Sequence, residues 1–265
     1  MRPHPPGSGE ERSTSGRGSG AKPAPPSSWR ALRGPLAVTA PDSTQGAVSP
    51  STSTLSEWES KHRLAAAGIP VAEERLCSSA EEAAIAASEL GFPIAVKLCG
   101  PAIAHKTERG LVRLGLRDGD AVRTASTELL AAARPEDGRV DLLVARMVAG
   151  KRELIAGLAT DPTFGRCVML GIGGIFAEIL ADVVFRLVPV SRTDAEEMLD
   201  DLTHRAWLGP FRGEPAVDRE RLVDVLVGLG KVAEEDARVR SIDVNPLIVA
   251  NGLPIAVDAL IEVEG

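Results

Sequence analysis

The chain has few cysteines, no long apolar run and no excess of basic charge, and each shortage closes off a class of function. Cys77, Cys99 and Cys167 are odd in number and far apart. They fit neither a disulfide framework nor zinc-ligand spacing, and they read as reduced core thiols of a cytoplasmic protein. No apolar stretch approaches the ~18 residues of a membrane span, and the N-terminus lacks the apolar segment of a secretory signal. A net charge of −7 with a pI near 5.3 argues against a nucleic-acid binder.

What is present divides unevenly. Residues 1–54 hold 9 of the 19 prolines, with six basic residues against three acidic ones. This segment carries +3 against −7 for the whole chain, so residues 55–265 carry −10. So polar a segment cannot bury enough apolar surface to offset its ordering entropy, and it is expected to be a disordered tail. The remaining residues, 55–265, suffice for one large domain or two small lobes.

Along those residues the spacing predicts a helix over Leu55–Ala67, with Trp58, Leu64 and Ala65 on one face and Gly68 as its stop. A short strand follows over Val71–Leu76. Ser79-Ala80-Glu81-Glu82 reads as a capping box opening an Ala-rich helix that ends at Gly91. Strands are expected over Ile94–Leu98 and Leu111–Leu116, around a loop at 99–110, with a helix over Ala121–Ala133 after them. Leu142–Val148 and Glu153–Ala159 read as two strands joined by a turn at Ala149–Arg152. Asp161–Gly165 is a second turn, leading to Cys167–Leu170 and the bend Gly171-Ile172-Gly173-Gly174. A strand over Val183–Val190, a helix capped by Thr193–Glu196, and a long amphipathic helix over Asp218–Glu235 complete the set before the C-terminal segment. Without strict β-α-β alternation the class is α+β rather than doubly wound.

The C-terminal segment, Ser241–Asp258, places two β-branched runs around Asn251-Gly252, the strongest short-range hairpin signal. With a two-residue loop there, partner numbers add to 503, and Asn245 stands opposite Asp258. Asp243, two residues away, shares their face. Three oxygen-bearing side chains so placed either meet water or hold a hard cation such as Mg²⁺, and Pro246 can add a bulge that slips the register. Lys97 and Arg186 each put a charge inside an apolar strand, either reaching solvent or holding an anion. The glycine bend can lend backbone N–H groups to phosphates, although it matches neither a Rossmann fingerprint nor a P-loop. His105 lies in the loop with Lys106, Thr107 and Arg109. Neighbouring cations favour its neutral form, which suits a nucleophile toward phosphorus; a loop histidine without a role is the other reading. His62 and His204 read as surface residues on helices. Glu153, at a strand start, either meets ribose hydroxyls or stays solvated.

Seven strings occur in order: Ser60-Lys61 with Ala67–Val71, Pro93–Lys97, His105-Lys106-Thr107, Asp161–Gly165, Gly171–Phe176, Phe185-Arg186-Leu187, and Asp243–Leu247. Together they resemble the ATP-grasp domain of ADP-forming acyl-CoA synthetases of the β-subunit type, and more distantly the β chain of succinyl-CoA synthetase. The resemblance implies two α+β lobes clamping ATP or ADP with Mg²⁺. It implies Lys97 on the phosphates, the segment Leu143–Val148 including Met147 along the adenine, and Glu153 near the ribose. Gly171, Gly173 and Gly174 would lie over the phosphates, Arg186 would add positive charge, and Asn245 and Asp258 would hold Mg²⁺. His105 would carry a phosphoryl group to ADP, received from a histidine of an α-type partner that binds CoA and the acyl group. The net reaction implied is acyl-CoA, ADP and phosphate to acid, CoA and ATP. Relatives often read His-Lys-Ser-Asp-x-Gly-Gly, whereas Thr107, Glu108 and Leu111 stand here, and Ala145-Arg146 replaces Gln-Glu. A CoA-binding domain is not expected within this chain. A nucleotide-sensing module attached to an acyltransferase, without turnover, is the alternative reading.

Overall fold

Capped helices and alternating apolar strands assemble, in a computed structural model that describes residues 52–103, 106–174 and 180–265, into two antiparallel sheets with helices packed on them. The first half runs β1 (Thr52–Thr54), α1 (Glu57–Ala66), β2 (Glu74–Cys77), α2 (Ala80–Leu90), β3 (Ile94–Cys99), β4 (Val112–Leu116), α3 (Gly119–Ala131) and β5 (Asp141–Arg146). The second runs β6 (Arg152–Asp161), β7 (Gly165–Ile172), β8 (Val183–Leu187), α4 (Arg192–Asp201), α5 (Arg219–Glu235), β9 (Val239–Ala250), β10 (Leu253–Ala256) and β11 (Ala259–Glu264).

The smaller sheet has the order β2-β5-β3-β4. Ile94, Val96 and Leu98 of β3 pack with Leu142 and Val144 of β5 against Ala83, Ala87 and Leu90 of α2 and Val122 and Leu129 of α3. The larger sheet has the order β1-β11-β9-β6-β7-β8, with β10 also paired to β9. One face is covered by α5, whose Leu222, Val225, Leu226, Leu229, Val232 and Ala233 follow the 3.6-residue period and are buried against Leu154, Leu158, Val168, Ile242 and Val244. Asp218 caps this helix, its carboxylate accepting from the Arg221 amide. Asp161 accepts from the amides of Thr163 and Phe164 at 2.8 and 2.9 Å, which closes the β6–β7 hairpin at the expected turn.

Four expectations change. Thr52–Thr54, assigned to the tail, pair as β1 with Glu262–Glu264, because the edge of β11 offers backbone partners to a β-branched run; residues 1–51 lie outside the described residues. Glu82 does not complete a capping box, since its carboxylate accepts from the amide and hydroxyl of Ser78 instead. The cap of α4 is Ser191, in a reciprocal box with Asp194, two residues earlier than Thr193. Ser191 and Thr193 each have an acid three residues on, and the box nearer Pro189 starts the helix. Finally, Ala149–Arg152 is no hairpin turn. It carries the chain from β5 in the small sheet to β6 in the large one, making it the connection between lobes.

Candidate active site

The hairpin builds one wall. Asn251 and Gly252 take φ of 50° and 87°, the left-handed conformation a two-residue turn demands. Partners add to 503 from Leu253↔Ala250 to Ala256↔Leu247 and again from Ala259↔Val244 to Glu262↔Ser241. Between these ladders lies a break spanning Asn245-Pro246 and Val257-Asp258, held by the Val257 amide donating to the Pro246 carbonyl at 3.3 Å. Against β6 the same place is a bulge, because Val244–Leu247 opposes Ala156–Leu154. The bulge that Pro246 suggested therefore forms, yet it leaves the expected register with β10 and β11 intact. Its effect is to shift phase: Ile242 and Val244, then Leu247 and Val249, are buried in the core. Asp243 and exposed Asn245 are left on the face away from α5.

The second wall is helix α1, where the expected face holds at Leu64 but not at Ala65. Glu57, Ser60, Lys61 and Leu64 are its buried residues, whereas Ala65 is exposed and Trp58 half-buried. The helix turns its charges inward. Lys97 of β3, only 7% exposed, lies 2.6 Å from Glu57 and 3.2 Å from Asp258. Lys106 also contacts Glu57 and lies 3.2 Å from Asp258. Lys61 pairs with Glu57 at 2.8 Å and with Glu74. Burial pulls the Lys97 value down, but Glu57 and Asp258 outweigh it and hold the ammonium above the ordinary lysine value. Burial likewise favours a neutral Glu57, and Lys97, Lys61 and Lys106 overcome it, keeping the carboxylate ionised well below its usual range. Among the described residues no cation pairs with Asp243. Burial, with Asp258 adding to it, pushes its carboxyl up to about 7.

Glu153 shares the open face of the large sheet and sits beside the glycine bend. The Gly173 amide donates to its backbone carbonyl at 2.8 Å, and a Cβ at Gly174, where φ is +69°, would lie 3.3 Å from its carboxylate. The glycines nevertheless work differently from the expected cradle. Gly171 is inside β7, where a Cβ would meet Val183 at 3.0 Å, and one at Gly173 would meet the Leu154 backbone at the same distance. The Ile172 and Gly173 amides are already given to Asp182 and Glu153 carbonyls. These glycines permit close strand approach. The continuation of the bend, Ile175–Ile179, lies outside the described residues, as does His105.

Arg186 is not brought to this site. It pairs with Val168, in the row of Leu158, Ile242 and Ile261 that faces the core, and it binds Asp201 at 2.8 Å and Glu197 at 3.4 Å on α4. Strand parity puts its neighbour Phe185, not Arg186, in the row of Asp243. Met147 lies in the connection between lobes, its amide donating to the Pro93 carbonyl at 3.1 Å. Leu111, where relatives often carry glycine, is 1% exposed, and its amide closes the loop onto the Lys106 carbonyl at 2.8 Å.

The donors fit a hard cation. A buried Asp243 oxygen finds no hydrogen-bond partner among the described residues, and beside it Asp258 keeps its side chain 32% exposed. Among the described residues no three His, Cys, Asp or Glu side chains gather for a metal. Mg²⁺ here would depend on one or two carboxylates, the Asn245 carboxamide and substrate phosphates, its usual habit.

Two lobes built on antiparallel sheets, a buried strand lysine on one and an oxygen-rich hairpin on the other, define a nucleotide-clamping protein of the ATP-grasp fold. The family model described as the ATP-grasp domain matches residues 46–263. The β subunit of ADP-forming acetate–CoA ligase I from Pyrococcus furiosus is 38% identical over 208 residues, covering 77% of this chain and 90% of that one. Acetyl-coenzyme A synthetase 1 of Ca. Korarchaeum cryptofilum, solved with coenzyme A and Ca-AMPCP, superposes with a TM-score of 0.73 at 36% identity, over 80% of this chain and 93% of that one. In another structure of that synthetase, with Mg-AMPPCP, the phosphohistidine segment points towards the nucleotide-binding site; it matches at 37% identity and TM-score 0.67, over 78% and 91%. This chain belongs to the ATP-grasp family, among the β-type subunits of ADP-forming acyl-CoA ligases.

Sequence reasoning missed Glu57, Lys61, Glu74 and Lys106. A Glu and a Lys four residues apart on a helix ordinarily mark a solvent-exposed pair, so the signals were the Ser60-Lys61 and His105-Lys106-Thr107 strings of the resemblance, with none for Glu74.

Proposed function

We propose that this chain is the nucleotide-binding subunit of an ADP-forming acyl-CoA ligase, passing a phosphoryl group between His105 and Mg-ADP or Mg-ATP. The observation that supports this reading best is the joining of Asp258 to Lys97 and Lys106, which gathers the hairpin, strand β3 and the loop of His105 at one point. Toward ATP, the N–P bond of phosphohistidine breaks as a β-phosphate oxygen of ADP forms the new O–P bond, leaving imidazole. Such a transfer asks for positioning and charge neutralisation more than covalent help. Lys97 supplies fixed positive charge, Glu153 faces the ribose, and Met147 lies along the base. Asp258, Asn245 and Asp243 would hold Mg²⁺, which when bound neutralises phosphate charge. Arg186 takes no part.

A β-type subunit requires a partner subunit. On this reading the partner is α-type, binds coenzyme A and the acyl group, and carries its own phosphohistidine. No helix among the described residues is long and apolar enough to cross a membrane, and the three unpaired buried thiols suit the reducing cytoplasm. The test is acid-labile label from γ-labelled ATP. Wild type should incorporate it and His105→Ala should not, while binding Mg-ADP equally. Label retained in the variant refutes the carrier role, and a wild type that binds nucleotide without labelling favours a sensing module.

A further inference from the structure

Glu57, Lys97, Asp258 and Lys106 form a closed ring in which each carboxylate spends its two oxygens on the two ammonium groups. Glu57 offers Oε1 to Lys97 and Oε2 to Lys106; Asp258 offers Oδ2 to Lys97 and Oδ1 to Lys106. The two sides of the ring are unequal. Glu57 is buried and makes the shorter contacts, whereas Asp258 is a third exposed and makes both of its at 3.2 Å. An Asp258 that turns to a cation must loosen its hold on the lysines, and Glu57 then remains to keep them. Lys97 also donates to the Val257 carbonyl at 3.1 Å, so an Asp258 that lets go frees one donor on each ammonium, and the pair stays held one carboxylate apart, a spacing suited to two oxygens of one phosphate chain.

We propose that Lys106 is a second phosphate-binding ammonium beside Lys97, and that Glu57 is the positioning residue holding both as Asp258 turns to the magnesium nucleotide. The assignment rests on the nucleotide-transfer reading above and adds to it a residue and its support. Its ligand is the terminal phosphate end of a nucleoside di- or triphosphate.

The experiment measures binding of AMP and of Mg-AMPPCP to the full chain by calorimetry. Lys106→Gln should weaken Mg-AMPPCP about ten- to a hundredfold, the factor for losing one charge-assisted hydrogen bond. It should leave AMP within about twofold. Glu57→Gln should show the same phosphate-dependent loss, and Glu57→Asp should restore part of it. Because Lys106→Gln leaves Glu57 paired with Lys61 and Lys97, that variant decides the matter even if Glu57→Gln fails to fold. Equal affinities for wild type and Lys106→Gln overturn the assignment, and so does a loss as large for AMP as for Mg-AMPPCP, which would mark a purely structural role. If wild type itself does not bind Mg-AMPPCP, the nucleotide-transfer reading falls and this one with it; normal wild-type binding with an unaffected variant sinks only this one.

Discussion

Replacing Lys61 with methionine removes one ammonium from the interior at nearly constant side-chain length. Lys61 is 0% exposed and serves Glu57, Glu74 and the Val257 carbonyl at 3.4 Å. Glu57 would keep Lys97 and Lys106, so the penalty falls on Glu74, for which Lys61 is the ion-pair partner. Breaking a buried pair from one side costs about 3–5 kcal/mol. Burial already raises the Glu74 carboxyl above its ordinary value, with Lys61 pulling against the rise; without Lys61 it rises further. A carboxyl whose folded value lies above its unfolded value is protonated in the native state while the unfolded chain is ionised. Its contribution is therefore present at low pH and is lost as pH climbs toward the folded value. The variant should thus lose the full amount at pH 8, a fall in Tm of roughly 6–20 °C for a domain of this size. At pH 5, where Glu74 escapes by taking a proton, the loss should be distinctly smaller. Urea melts at the two pH values measure this. The double variant Lys61→Met/Glu74→Leu should recover about 2 kcal/mol or more at pH 8, since an apolar pair of similar volume replaces an ion pair at little cost. A loss equal at both pH values, or no loss at pH 8, would refute Glu74 as the burdened group.

Two shorter predictions follow from the same site. A Cβ at Gly150, in the connection between lobes, would lie 2.7 Å from Ile248 Cγ2, with the Val249 carbonyl oxygen closer still. Gly150→Ala should therefore displace the segment between Met147 and Glu153, costing about 1–3 kcal/mol as an overpacked site does, and weaken Mg-ADP binding; an unchanged Tm and affinity would show that the connection yields freely. Without divalent cation, the Asp243 carboxyl, raised to about 7, should make stability fall by up to about 1.4 kcal/mol per pH unit between its unfolded value and neutrality. Asp243→Asn should flatten that slope, and a slope unchanged in the variant would place the titration elsewhere.

Legibility varied with the kind of information each residue carries. The Asn251-Gly252 turn was readable because its backbone demand is local, and it set the partner sum of 503 on both sides of the break in which Asn245 and Asp258 lie. Asp161 and Gly165 marked the β6–β7 turn for the same reason. The glycine run was read as backbone left open for phosphates, whereas Val183 and the β6 backbone fill the space at Gly171 and Gly173. Arg186 could be placed in a strand, but an alternating strand has two faces, and nothing within Val183–Leu187 says which one α4 covers.

By itself, then, the sequence determined the α+β class, the family strings, the helix caps to within two residues and the hairpin register, all of which depend on neighbours within a few positions along the chain. Tertiary structure alone decided that β5 and β6 belong to different sheets, that Arg186 faces α4 and that Glu57 and Lys61 are buried. A charged pair four residues apart has the same signature in water and in a cleft; only the arrival of Lys97, Lys106, Glu74 and Asp258, drawn from four other parts of the chain, supplies the opposite charges that make burial tolerable.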